Sequence, residues 1–193
     1  MHLLASIARF PKIRGGTASV AILLAAVLIT LSWGQVRAQE PPTLSSLTDG
    51  VTEVVRQVLG STIPDTAPGQ DLALSRVIIP AGEPIRLHTH PGPQFALIVE
   101  GTLTYTAHWG VVQVTRAAGT EDSREEFAGA GQTVELQVGD SLLEMPTLVH
   151  EARNATDTPV VIYLATLFPE GAPASAPFTG IVPSSSGGIA QDS

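Results

Sequence analysis

His88 and His90 stand one residue apart in Gly82-Glu83-Pro84-Ile85-Arg86-Leu87-His88-Thr89-His90-Pro91-Gly92-Pro93-Gln94. Side chains of an extended segment alternate between its two sides, so both imidazoles project to one face and can bind one ion together. A third histidine, His150, lies far along the chain in Gly139-Asp140-Ser141-Leu142-Leu143-Glu144-Met145-Pro146-Thr147-Leu148-Val149-His150-Glu151-Ala152-Arg153-Asn154. Three imidazoles of this kind suit transition metals. Arg86 shares parity with His88 and His90 if Ile85 to His90 stays extended. It then points inward to pair with a substrate anion, or it is solvated where the strand frays. Glu144 precedes the loop to His150 and offers a carboxylate as ligand or general base, or else an exposed acid at a rim. His108, beside Trp109, reads as a surface residue in a turn. Asn154 reads as the cap of a turn, its side chain mimicking backbone.

The elements that must position these groups are short strands. From Leu72 to Phe168 the pattern gives 72–79, 85–88, 94–100, 102–107, 111–115, 132–138, 141–145, 148–153 and 159–168, separated by Gly, Pro, Asn and Asp. Many short strands with such punctuation argue for an all-β sandwich or barrel. Apolar residues at 44, 47, 51, 54, 55, 58 and 59 have helical spacing, which predicts a short amphipathic helix ended by Gly60. Ala117 to Gly131, rich in Gly, Ala and acids, reads as a long loop. The Pro, Ser, Gly and Ala-rich tail from Pro169 to Ser193 is expected to hold little structure beyond its first few residues.

The two histidine segments resemble the motifs of the cupin superfamily, G-x5-H-x-H-x3,4-E-x6-G and G-x5-P-x-G-x2-H-x3-N. Gly82, His88, His90 and Gly101 fit the first with its spacing, and Gln94 takes the usual place of glutamate. In the second, Gly139, His150 and Asn154 keep their separations, Pro146 falls one place late and the inner glycine is missing. The resemblance covers roughly residues 70–168. It implies a double-stranded β-helix, or jelly-roll barrel, with one divalent transition metal (Fe, Mn, Zn, Ni or Cu) held inside by His88, His90 and His150. Gln94 is then a neutral fourth ligand or a hydrogen-bond partner of a metal-bound water. Without the glutamate the ion keeps its full charge and should pull harder on an anionic, chelating substrate. Cupins commonly dimerise, and outward-facing Phe95, Leu97 and Val99 suit such a face or the underside of the helix.

Residues 1–38 read as a signal peptide. Arg9, Lys12 and Arg14 form a basic start, Ala18 to Trp33 an apolar run short of the ~20 residues that span a bilayer, and Val36-Arg37-Ala38 a cleavage site. The other reading is an uncleaved anchor. Residues 39–69 would be a linker with the helix, 70–168 the barrel and 169–193 a flexible tail. Cleavage after Ala38 leaves six arginines against eighteen carboxylates, a net −12, in an exported, periplasmic or secreted chain. Such a surface repels phosphate backbones and anionic lipid, which argues against nucleic-acid and membrane partners. The absence of cysteine excludes disulfide staples.

Two function classes fit. One is a small-molecule metalloenzyme of oxygenase or isomerase type, with ion positions left open for substrate. The other is a non-catalytic module that binds a small ligand or a metal. A storage role fits poorly, because storage cupins are usually two-domain.

Overall fold

The computed structural model describes Thr43 and residues 47–181. The expected leader lies outside them. Twelve strands follow in order: β1 (Val55–Thr62), β2 (Gln70–Ile79), β3 (Pro84–Thr89), β4 (Gln94–Glu100), β5 (Leu103–Trp109), β6 (Val111–Arg116), β7 (Arg124–Gly129), β8 (Thr133–Leu136), β9 (Ser141–Glu144), β10 (Val149–Arg153), β11 (Val160–Pro169) and β12 (Ala176–Pro177). They form two antiparallel sheets. One has the order β1-β2-β11-β4-β9-β6-β7 and the other β12-β3-β10-β5-β8. This is the all-β architecture expected from the strand pattern and, more narrowly, the double-stranded β-helix that the resemblance implies.

Alternation within the strands fills the space between the sheets. On β4, Gln94, Ala96 and Ile98 are buried while Phe95 and Leu97 face outward and are exposed. Ile79, Ile98, Val112, Val114, Leu136 and Val160 are almost completely buried, a core of aliphatic groups on pleated strands. Gly101, at the β4–β5 turn, has a φ of +76°, and a Cβ there would come within 2.5 Å of the Pro159 carbonyl oxygen. Only glycine meets both demands.

Three expectations are corrected. Val55–Thr62 is not the second half of a helix but a strand paired with β2 from Val55↔Ile78 to Thr62↔Leu72. Leu47 and Thr48 alone are helical among the described residues, and the expected helix start at 44–46 lies outside them. The physical reason is that Val55 and Val58 are β-branched and meet a partner edge on β2, and pairing there outweighs a helical spacing with nothing to bury against. The expected loop at 117–131 contains β7, paired with β6 from Val111↔Gly129 to Arg116↔Arg124. Of the tail, residues 176–178 return to the barrel, where β12 pairs with β3 and Phe178 N–H donates to the Leu87 carbonyl oxygen, while 182–193 lie outside the described residues.

Asn154 joins three segments. Its amide nitrogen donates to the carbonyl oxygens of Ile79, Pro80 and Thr158 at 3.0, 3.1 and 2.7 Å. Its side-chain oxygen accepts from Thr156 N–H, the turn mimicry expected of this residue, and from the Thr156 hydroxyl. The residue is completely buried, so the Asn154-Ala155-Thr156 sequon is not open to glycosylation in the folded chain.

Candidate metal centre

The histidines come from one sheet and their acidic partner from the other. His88 on β3 is in register with His150 on β10, and His90 follows β3 directly. Their rings cluster, with centroids 4.2 to 5.1 Å apart, and one ligand atom from each lies within 4.8 Å of the others. All three are buried. His88 Nδ1 sits 2.7 Å from the Arg86 carbonyl oxygen and His90 Nδ1 2.8 Å from that of Ala174. Only an N–H can donate to a carbonyl, so in the neutral rings these bonds leave Nε2 with its lone pair free. Ala174 belongs to the supposedly flexible tail, and nothing in its sequence marks the role.

Gln94 and Glu144 face the histidines from the opposite sheet, in register with each other across β4 and β9. Glu144 is buried, not at an exposed rim, and its carboxylate oxygens lie 3.0 Å from His150 Nε2 and 3.4 Å from His90 Nε2. The carboxylate thus lies beside two of the three histidines, with a different oxygen toward each. Gln94 turns its amide nitrogen toward the cluster, 3.0 Å from His90 Nε2, and donates to Glu144 Oε2. The reverse orientation would set amide oxygen against carboxylate oxygen. In this orientation Gln94 gives an amide N–H to the Glu144 carboxylate.

Electrostatics fits a site built for a cation. Burial alone would push the Glu144 carboxyl up, but His150 and then His90 outweigh it and hold the group well below the usual carboxylate range. Burial, followed by His150, pushes His88 down from 6.5 to about 4. His88 is thus neutral at physiological pH, as a ligand must be. His150 Nδ1, Gln94 Oε1 and the Tyr105 hydroxyl are buried with no hydrogen-bond partner. Tyr105, unremarked in the sequence, stacks on His150 with centroids 5.0 Å apart. Burial and then the Glu144 charge push its ionisation far up, so the hydroxyl stays protonated.

Because the unfolded chain takes up the His88 proton below 6.5 and the folded chain only near 4, stability must fall as pH drops through that interval. Metal-free protein is expected to lose up to about 3 kcal/mol there from this group. Urea unfolding at stepped pH with chelator present measures it, and stability unchanged between pH 7 and 4.5 would refute it.

Arg86 does not join the site. Between His150↔His88 and Ala152↔Ile85, β3 carries one residue more than β10. This bulge breaks the parity with His88 and turns Arg86 outward, exposed, into a groove with Thr104, Thr106 and Arg153. His108 is also remote from the cluster, on β5 with Nε2 3.2 Å from Glu151.

A cavity of about 290 Å³ opens onto the cluster, its walls mostly aliphatic with Val77, Leu103, Leu142, Ile162 and Leu164 among them. A two-sheet β-helix with three histidines from one sheet converging on the inward end of the other decides the fold. The fold is that of the cupins. No protein-family model matches the chain, and no curated protein matches it. Solved structures similar to it include a cupin superfamily protein from Desulfitobacterium hafniense DCB-2, at 18% identity over 67% of this chain and 93% of that one, TM-score 0.45. The Lactobacillus farciminis oxalate decarboxylase formate complex is similar at 16% identity over 66% of this chain, with a TM-score of 0.44, and the chain spans 32% of that enzyme's length. Geodermatophilus obscurus L-ribose isomerase is similar at 13% identity over 65% of this chain and 69% of that one, TM-score 0.49. Residue 94, where the motif has glutamate, is an amide here, and a buried carboxylate stands opposite it on β9, at residue 144.

Proposed function

We propose that the chain is an exported cupin metalloenzyme acting on a small molecule, of the oxygenase or isomerase kind, with one divalent transition metal held by His88, His90, His150 and Glu144. The observation that carries this reading is a cluster of three buried histidines from one sheet with a buried carboxylate from the other beside two of them. An ion there would act as a Lewis acid on a substrate oxygen. The remaining work falls to the chain. Gln94 fixes Glu144, the backbone of Arg86 and Ala174 fixes two of the imidazoles, and the aliphatic walls exclude water. The Tyr105 hydroxyl is a protonated donor beside the site.

A binding module without turnover is favoured by one observation. Apart from Arg56, every ionisable group lining the cavity belongs to the proposed ligand set or, like Tyr105, is held protonated. Protein loaded with Fe(II) or Mn(II), set against a panel of enediols, keto acids and aldoses, separates the two by dioxygen uptake and by product formation. Turnover abolished by His88→Ala supports the enzyme, and ligand-induced stabilisation without turnover supports the module.

The export reading rests on the leader. The protein recovered from the host envelope is expected to begin at Gln39, which N-terminal sequencing reads directly; an intact Met1 terminus would mean an anchor instead.

A further inference from the structure

Arg56 occupies a position that the metal centre does not explain. It sits on β1 in register with Val77, so the two side chains share the inward face, and both line the cavity that holds the histidines. Its guanidinium is half-buried, and among the described residues its one hydrogen bond is from a terminal nitrogen to the Ser75 hydroxyl at 3.3 Å. Its Nε is buried and unpartnered. No carboxylate among the described residues pairs with it.

Arg116 supplies the contrast. It is also withdrawn from solvent, and it is matched by Glu126 and by Asp140 at 2.6 Å. A guanidinium removed from water without an anion is a net penalty to the fold, since five fixed donors are left largely unmet. Only six arginines follow residue 38, so placing one unpaired at a cavity wall is a local exception in a strongly acidic chain. Half-burial also weakens water's competition, so an arriving anion would be held more tightly than on open surface.

We propose that Arg56 is the anion-recognising residue of the cavity and that the substrate is a small carboxylate, its carboxylate on Arg56 and an oxygen at its other end reaching the histidine cluster. The identity of that other end rests on the metal reading; the role of Arg56 does not. The planar fork of guanidinium matches a carboxylate with two parallel hydrogen bonds, and Ser75 steadies it from behind. A cavity of about 290 Å³ suits a small organic acid.

Calorimetric titration with succinate, and with succinamide as its uncharged counterpart, tests the assignment on full-length mature protein, both metal-loaded and chelator-stripped. Wild type is expected to bind succinate and not succinamide. Arg56→Gln should weaken succinate roughly ten- to a hundredfold at unchanged metal content, with Arg56→Lys recovering part of the loss. If Arg56→Gln does not fold, the Arg56→Lys protein carries the test, with a several-fold loss expected. Succinate affinity equal in wild type and variant, or no succinate binding by wild type, overturns the proposal. Inorganic phosphate bound more tightly than succinate would overturn the carboxylate. Arg56-dependent succinate binding in a protein that takes up no metal would overturn the metal reading and leave Arg56 in place.

Discussion

Glu144→Gln protein is expected to bind its divalent metal roughly a hundredfold more weakly than wild type, and the double variant Glu144→Gln, Gln94→Glu to recover most of that loss. The carboxylate oxygens of Glu144 lie 3.0 and 3.4 Å from two histidine nitrogens, so its removal takes away both a ligand atom and the only negative charge of the set. Even residues that merely support metal ligands are worth about ten- to a hundredfold in affinity, and a charged ligand should lie at the upper end or beyond. Because residues 94 and 144 are directly opposite on β4 and β9, the double variant moves the charge across one strand spacing and no further. Gln94→Glu alone should bring no gain. It would set two buried carboxylates side by side, and one would take up a proton rather than ligate. Competition titration with a chromogenic chelator, using Zn(II) or Mn(II), reads all three proteins. A hundredfold gain from Gln94→Glu alone would instead make residue 94 the missing ligand.

Asn154→Ala is expected to destabilise the protein by about 3 to 5 kcal/mol. The substitution removes the three hydrogen bonds the amide gives to the carbonyl oxygens of Ile79, Pro80 and Thr158 and the two it accepts from Thr156, each worth about 0.5–1.5 kcal/mol net; Pro80 and Thr158 keep a second donor in Glu83 N–H and the Thr156 hydroxyl. Loss of the Thr156 contacts also loosens the turn between β10, which carries His150, and β11. Asn154→Asp should be at least as damaging, because it sets a carboxylate against those three carbonyls. Melting temperature is the measurement, with a fall of about 10 °C or more for Asn154→Ala. A shift under about 2 °C would mean that the three segments are held together by other contacts.

The parts of the site legible in the sequence were those set by local geometry. Two histidines one residue apart need only an extended backbone to face one way, and His88 and His90 do so. The turn role of Asn154 depends on residues two to four places onward and was readable for the same reason. Glu144 was readable as a candidate but not as a neighbour of Gln94, because that depends on the β4–β9 register, a contact between residues 50 apart in the chain. Arg86 misled because parity holds only while a strand is regular, and one extra residue in β3 reverses it.

The same limit governed the elements. Val55 and Val58 fit a helical spacing, yet their β-branched side chains suit a strand equally well, and the edge of β2 decided the outcome. The acidic β7 is an edge strand with half of its residues exposed and Ala128 alone buried, so it carries no apolar alternation to read. Arg56 and Ala174 could not be assigned to the cavity before β1 and the returning tail were placed.

Anomalous diffraction at the absorption edge of the bound metal, from crystals of the mature protein, examines the proposed centre directly. One peak is expected, within about 2.0–2.3 Å of a nitrogen from each of His88, His90 and His150 and of a Glu144 oxygen, with the Gln94 amide beyond bonding distance. No peak at the cluster after metal loading, or a peak bonded to Gln94 and not to Glu144, would contradict it.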